Sequence, residues 1–153
     1  MTQEAILVKR GSGIHCFEDL QGKRITATAG SVSIRRMRAA LPSLPGATLV
    51  VTPLSAGNVE AVVRGDADAA SNDQINLTCL NQASADAENH VIIDLSEHFE
   101  PKPFGIAVKQ GRSEFLGQLN RVIEELRAQG EIQRLLEAGV AGVRRPSDQG
   151  FRS

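Results

Sequence analysis

Aromatic side chains are scarce in this sequence of 153 residues. It contains neither Trp nor Tyr, and its aromatic content is only 3%. The stacked rings on which single-stranded nucleic acids bind, or an aromatic sugar-binding groove, cannot be assembled from so few residues. We therefore expect any ligand site to be built mainly from polar contacts.

The sequence also lacks an excess of charge of one sign. Its 17 Lys and Arg residues nearly balance its 18 Asp and Glu residues, and the formal net charge is -1. Without a basic field, neither nucleic acid nor an anionic membrane is an expected partner. Two cysteines, Cys16 and Cys79, are too few for a disulfide framework, and their spacing does not decide whether they pair.

Long apolar runs are missing as well. No segment approaches the about 20 apolar residues of a membrane span. The first residues, MTQEAILVKRG, lack the charged region and apolar core of an export signal, so the sequence predicts no signal peptide.

What the sequence does contain is an alternation of strand-like and helix-like segments. Short strand-like segments alternate with helical ones. The predicted helices run from Val32 to about Ala40, from Ala56 to Arg64, and through DQINLTCL. This order predicts an α/β fold, with a mainly parallel sheet flanked by helices. The predicted strands are AILVKR, RITATA, TLVVTP, ADAAS, HVIIDL and FGIAVK.

The last third of the sequence changes character. Ser113 is a candidate N-cap for a long amphipathic helix that should stop at Gly130, because Gly favours helix ends. Beyond a shorter apolar cluster the periodicity is lost, and residues 139–153 are predicted to form a disordered tail. The apolar stripe of the long helix consists of Phe115, Leu119, Val122 and Leu126.

The junction ITATAGSVSIRRMR is the first candidate site. Gly30 permits a tight turn after a strand, and Ser31 to Ser33, with Val32 between them, open a helix. The unpaired N–H groups at such a helix start favour an anion such as a carboxylate. A plain N-cap role for Ser31 is the alternative. We interpret the Arg residues at 35, 36 and 38 as a solvated helix face.

Asp73 is the second candidate, because it ends one predicted strand and precedes a helix. In α/β sheets ligands bind beyond the carboxyl ends of strands, where Ser31 also lies. A helix start for a carboxylate and an aspartate for an ammonium together suit a zwitterion. Asp73 is equally suited to be a simple N-cap. We assign Asp66 and Asp68 to turns or caps, since Asp readily hydrogen-bonds to nearby backbone.

Motifs of catalysis were sought and not found. The sequence has no G-x-S-x-G, no phosphate-binding loop and no dinucleotide fingerprint. Its histidines, His15, His90 and His98, are scattered and lack the spacing of metal ligands. We therefore predict no catalytic residues, no metal and no cofactor.

Five segments, in this order, resemble the type 2 solute-binding proteins that deliver amino acids to ABC importers. The resemblance covers Ala5 to about Leu136, and it implies the second lobe of a two-lobed periplasmic protein. Residues 1–110 would form this lobe with its hinge strands, and residues 111–138 would be helices that pack on a first lobe. The segments are AILVKRGSGI, FEDLQGKRITATAGSVS, VEAVVRGDADAASNDQINL, PFGIAVKQG and EFLGQLNRVIEELRAQGEIQRLL.

The resemblance also implies roles for individual residues. Gly30-Ser31-Val32-Ser33 is similar to the turn that binds the ligand α-carboxylate in the family, and Asp73 matches the aspartate that takes the α-ammonium. Val32 stands where relatives often have a hydroxyl residue. The arginine that clamps the carboxylate belongs to the first lobe, which this sequence lacks.

The implied function is binding, not catalysis. The expected ligand is a polar or acidic amino acid, and the expected partner of the full-length form is an ABC permease. The alternatives are an enzyme similar to cyclohexadienyl dehydratase and a sensory or regulatory module of a kinase or a murein lytic enzyme. Because Met1 lies close to the first hinge, we expect the sequence to be part of a longer protein. We also expect self-association through the exposed C-terminal helix.

Overall fold

The computed structural model describes residues 1–139, so the predicted disordered tail lies almost wholly outside the described residues. The described chain forms an α/β domain in which each predicted strand and helix through residue 94 is found close to its expected place. The strands are β1 (Glu4–Lys9), β2 (Arg24–Thr28), β3 (Thr48–Thr52), β4 (Ala69–Asp73) and β5 (His90–Asp94). The helices are α1 (Val32–Ala40), α2 (Ser55–Arg64), α3 (Gln74–Gln82), α4 (Ser113–Ala128) and α5 (Glu131–Gly139).

The five strands form one sheet in the order β3-β2-β4-β1-β5. β2 runs parallel to β3 and β4, as predicted, but β1 is antiparallel to both β4 and β5. The sheet is therefore mixed, but four of its five strands run in one direction and β1 alone runs against them, as a mainly parallel sheet requires. The antiparallel register sets Glu4 opposite Asp73, so that the start of β1 lies beside the end of β4.

Both faces of the central strand β1 are buried, which explains its continuous apolar run from Ala5 to Val8. In β1, Ile6 and Val8 join a core cluster on the side of α1, while Ala5 and Leu7 join a second cluster on the side of α2 and α3. All four residues have no measurable exposure. Because side chains alternate between the two faces of a strand, β1 contributes residues to two separate core clusters.

The segment FGIAVK, at residues 104–109, was predicted to be a strand, and this prediction is wrong. Among the described residues it pairs with no strand, and Phe104 and Ile106 are 64% and 63% exposed. An isolated β-bridge between Thr2 and Lys102 lies just before this segment and does not extend into it. A strand needs a neighbouring backbone for its hydrogen bonds, and residues 1–139 offer this segment none.

The C-terminal helices follow the predicted pattern with one correction at the start. The N-cap position of α4 is Arg112, without a side-chain capping bond, so Ser113 is the first helical residue and not the cap. Gly130, at φ 73°, separates α4 from α5 as expected. α5 lies against α3 and α4, whereas α4 itself has no buried residue.

Cys16 and Cys79 are both free, and burial raises the pKa of the Cys16 thiol. Within residues 1–139 no helix is long and apolar enough to cross a membrane. In the same range no group of three or more His, Cys, Asp or Glu residues is arranged to hold a metal ion.

Asp68 has the structural role that the sequence predicted. Its carboxylate accepts hydrogen bonds from the backbone N–H of Arg24 at 2.8 Å and from the Arg24 guanidinium at 2.9 and 3.2 Å. The guanidinium holds the pKa of Asp68 below its usual value. Asp66 similarly accepts from Arg64 at 2.8 Å. The contacts between Asp68 and Arg24 connect the segment before β4 to the start of β2.

His90 begins β5 and is buried, at the end of the sheet remote from Asp73. The Asn81 amide nitrogen donates to the carbonyl of Ala87 at 3.2 Å, so the Asn81 carbonyl faces His90 Nδ1 at 2.8 Å and Nδ1 carries the proton. His90 Nε2 has no hydrogen-bond partner in the described chain, and Asp86 Oδ2 lies 3.8 Å from it. Burial lowers the pKa of His90, although Asp86 opposes this shift.

We expect the stability of the chain to fall as the pH drops through the range of histidine titration. The unfolded chain takes up a proton near the ordinary His pKa of 6.5, whereas folded His90 resists protonation, so the unfolded state gains stability below that pH. Urea unfolding between about pH 7.5 and about pH 5 measures the effect. His90→Gln should flatten the profile, and His15→Gln, at an exposed site, should not. An identical slope in all three chains would contradict this assignment.

Candidate ligand-binding site

The turn between β2 and α1 has the geometry that the sequence predicted. Gly30 adopts φ 72°, in the left-handed region that favours glycine. The Ser31 hydroxyl oxygen accepts a hydrogen bond from the backbone N–H of Ile34 at 3.1 Å, which makes Ser31 the N-cap of α1. The backbone N–H groups of Val32 and Ser33 belong to the first turn, which has no intrahelical acceptor for them. The capping role therefore coexists with a helix start suited to an anion.

Asp73 ends β4 and caps α3. Its Oδ1 accepts from the backbone N–H of Asn76 at 2.9 Å and from the Thr2 hydroxyl at 3.4 Å. Among the described residues, Oδ2 has no hydrogen-bond partner. The two alternatives for Asp73 are thus compatible, since the cap uses one carboxylate oxygen and leaves the other for a cation.

Both candidate segments line one cleft of about 280 Å³. They meet there because β2 and β4 are parallel neighbours, which brings the helices that follow them to the same edge of the sheet. Gly30 shapes the turn but does not line the cleft. The lining residues are Thr2, Gln3, Glu4, Ser31, Val32, Ser33, Arg36, Asn72, Asp73, Lys102, Pro103 and Phe104.

Arg36 is not part of a solvated helix face, which corrects the sequence interpretation. Its side chain is 13% exposed and its guanidinium donates to Glu4 Oε2 at 3.2 Å, while Arg35 and Arg38 are exposed as predicted. Glu4 is 2% exposed and also accepts from the Ser71 hydroxyl at 2.8 Å. A buried carboxylate needs such partners, because an isolated charge away from water is very costly.

The charges that line the cleft balance. Glu4 and Asp73 supply two carboxylates, and Arg36 and Lys102 supply two cations. The carboxylate of Glu4 is engaged by Arg36, so Asp73 is the carboxylate with a remaining acceptor. A cleft with this arrangement suits a ligand that carries both a positive and a negative group.

Sequence reasoning missed Glu4, Arg36 and Asn72 as cleft residues. A signal existed for Glu4, because a charged residue at the start of the apolar segment EAILVK is unusual and calls for a buried partner. A signal existed for Asn72 as well, since it directly precedes Asp73 at a strand end. Arg36 lies among exposed arginines on α1, and nothing in the local sequence distinguishes it from them.

Comparisons with known proteins agree with this architecture. No family model matches the sequence. The ABC transporter glutamine-binding protein GlnH of Bacillus subtilis (strain 168) is 29% identical over 133 residues, which are 86% of this chain and 46% of that protein. An ancestral arginine-binding protein bound to arginine matches with a TM-score of 0.69 and 26% identity, covering 90% of this chain and 59% of that one.

A second similar structure is an ancestral amino-acid-binding protein described as a precursor of cyclohexadienyl dehydratase. It has a TM-score of 0.66 and 27% identity, over 92% of this chain and 59% of that one. The fold is that of a lobe of a type 2 periplasmic binding protein. The resemblance to the amino-acid-binding proteins of ABC transporters is confirmed, and the chain spans about half the length of the curated relative that it matches.

Proposed function

We propose that this chain is the ligand-binding second lobe of a substrate-binding protein that delivers a polar or acidic amino acid to an ABC permease. The observation that carries the proposal is the convergence of the α1 start and Asp73 in one cleft. The names of the similar proteins support an amino acid as the ligand, because they include a glutamine-binding and an arginine-binding protein.

In the proposed complex each end of the amino acid finds an opposite charge or dipole. The α-carboxylate accepts from the backbone N–H groups of Val32 and Ser33 and from the Ser31 hydroxyl, where the helix dipole favours an anion. The α-ammonium donates to Asp73 Oδ2, which the capping bond leaves without a partner. Binding changes no covalent bond, so the proposal requires no catalytic group.

A second lobe would complete this site. Residues 1–110 form the proposed lobe, and residues 111–138 supply the helices that would cover its counterpart. The unpaired segment at 104–109 and the exposed apolar residues of α4 are the surfaces that such a counterpart would bury. A location outside the cytoplasmic membrane and docking to a permease belong to the same proposal.

Asp73→Ala should weaken amino-acid binding by about one to two decades. A charge-assisted hydrogen bond to an ammonium is worth roughly 1.5 to 3 kcal/mol. With only half of the site present we expect weak binding, so titration of the ¹⁵N-labelled chain with glutamine, followed by NMR, is the suitable measurement. Backbone signals of Ser31 to Ser33 and of Asp73 should shift in the unmodified chain, and those of Ser31 to Ser33 should shift far less at the same glutamine concentration in the variant. Ser31→Ala should cost less, because the backbone N–H groups remain.

Asp73→Asn is the matched control for the capping role. Asn is as good an N-cap as Asp, so this variant should keep its melting temperature and lose most of its affinity, whereas Asp73→Ala should lose both. If the unmodified chain and the Asn variant bind glutamine equally, Asp73 acts only as a helix cap and the proposed ammonium site is refuted.

An enzyme is the second candidate, favoured by the likeness to the precursor of cyclohexadienyl dehydratase. An enzyme of this kind would need a carboxyl group in the cleft that is free to transfer a proton. Glu4 is held by Arg36 and Ser71, which argues against it. Turnover of prephenate by the purified chain, lost on replacement of Asp73 or Glu4, would favour the enzyme over the binding protein.

A further inference from the structure

We infer that Lys102 is a specificity-determining residue of the cleft, and that its ammonium pairs with a carboxylate on the side chain of the bound amino acid. The inference rests on the proposed function and narrows its class of ligand. It selects acidic amino acids, such as glutamate, over those with a neutral or a cationic side chain.

The backbone at Lys102 directs its side chain toward the Asp73 side of the cleft. Thr2 and Lys102 form an antiparallel bridge in which each backbone N–H donates to the other residue's carbonyl, at 2.7 and 2.8 Å. The side chains of two residues paired in this way leave the backbone on the same face. The Thr2 hydroxyl donates to Asp73 Oδ1 at 3.4 Å, so this face is turned toward Asp73. Thr2, Asp73 and Lys102 all line the cleft.

Lys102 is the cation of the cleft that has no carboxylate partner among the described residues. The guanidinium of Arg36, the other cation, donates to Glu4 and to the carbonyl of Glu100. Within residues 1–139 the ammonium of Lys102 takes part in no salt bridge. The side chain is exposed, and its long stem lets the charged group adjust to a ligand. The cleft therefore offers one unpaired cation beside the carboxylate of Asp73.

The positions of the other two contacts assign Lys102 to the ligand side chain. In the proposed complex the α-carboxylate lies at Ser31 to Ser33 and the α-ammonium at Asp73, so a further charge of the ligand comes from its side chain. A side-chain carboxylate would give every charge in the complex an opposite charge or dipole. A neutral side chain would leave Lys102 unpaired, and a cationic one would add repulsion between like charges. We therefore expect affinity to fall from glutamate to glutamine to arginine.

Glutamate and glutamine are matched probes, because they have the same size and differ in the charge of the side chain. The chain, labelled with ¹⁵N and with ¹³C in its lysines, is titrated with each at neutral pH and followed by NMR. We expect both probes to shift the backbone signals of Ser31 to Ser33. Glutamate alone should shift the side-chain ¹³Cε signal of Lys102, which is assigned by its loss in Lys102→Met. Glutamate should bind roughly two- to fivefold more tightly than glutamine, as expected for an exposed ion pair.

Lys102→Met tests the same contact from the protein side. The bridge to Thr2 uses backbone atoms alone, so the substitution removes the charge and leaves the bridge in place. The preference for glutamate should fall to about one or below, because the side-chain carboxylate then meets the charge of Asp73 without a cation. Lys109→Met removes an exposed lysine that does not line the cleft, and it should keep the preference. In the unmodified chain the preference should also shrink between about 0.05 M and about 0.5 M salt.

The outcomes separate this inference from the proposed function. If glutamate and glutamine bind the unmodified chain equally, or if Lys102→Met keeps the preference for glutamate, the assignment of Lys102 is overturned and the zwitterion site stands. A loss of affinity in Lys102→Met that is equal for both probes would place Lys102 at the α-carboxylate, and it would overturn the inference as well. If neither probe shifts Ser31 to Ser33, the proposed function fails and the inference falls with it.

Discussion

Replacement of Arg36 by Met is expected to lower the free energy of unfolding by about 3 kcal/mol, because it leaves the carboxylate of Glu4 buried without its cation. Glu4 is 2% exposed, so water can replace the lost partner only if the cleft opens. The Ser71 hydroxyl remains as a single donor, at 2.8 Å. Urea unfolding at neutral pH measures the loss.

Two further chains make this result specific to the buried pair. Arg38→Met removes an exposed cation from the same helix and should change stability by no more than about 0.5 kcal/mol. The double variant Glu4→Leu with Arg36→Met removes both charges and should recover most of the loss, since apolar replacements of a buried pair are often neutral. A double variant as unstable as Arg36→Met alone would show that other contacts of Arg36, such as its hydrogen bond to the carbonyl of Glu100, stabilise the fold more than its pairing with Glu4 does.

The apolar stripe of α4 is expected to drive self-association of the chain in solution. Phe115 and Val122 are 47% and 50% exposed and Leu126 is 37% exposed, whereas Leu119 of the same stripe is only partly exposed. An exposed apolar patch of this kind tends to be buried against another surface. If the two copies of Phe115 together contribute about 1 kcal/mol to a dimer, and the two copies of Val122 the same, replacing both residues with Ser should weaken association by roughly thirtyfold. Sedimentation velocity across a concentration series gives the dissociation constants.

Glu124→Gln is the control, because helical spacing places residue 124 opposite the stripe, and its association should match that of the unmodified chain. A chain ending at Gln110 should be monomeric at all concentrations. If the intact chain is already monomeric and the truncation lowers its melting temperature, α4 stabilises the domain from within and the association prediction is wrong.

Much of the fold was predictable because it depends on local rules. Apolar runs bounded by turn residues identified β1 to β5, and helical spacing identified α1 to α4. Gly30 predicted the turn, and Ser31 and Asp73 predicted helix starts, because their side chains satisfy backbone N–H groups within three residues. The meeting of both starts in one cleft followed from a general property of α/β sheets, without any measured distance.

What the sequence by itself determined is therefore the set of elements and the two helix caps, since each is fixed by neighbours along the chain. The tertiary structure decided the rest. The antiparallel placement of β1 brings Glu4 beside Asp73, and Arg36 is buried against Glu4. The segment at 104–109 is unpaired because no strand lies next to it within residues 1–139. Burial, ion pairing and strand pairing depend on which distant segments meet, and local periodicity does not contain that information.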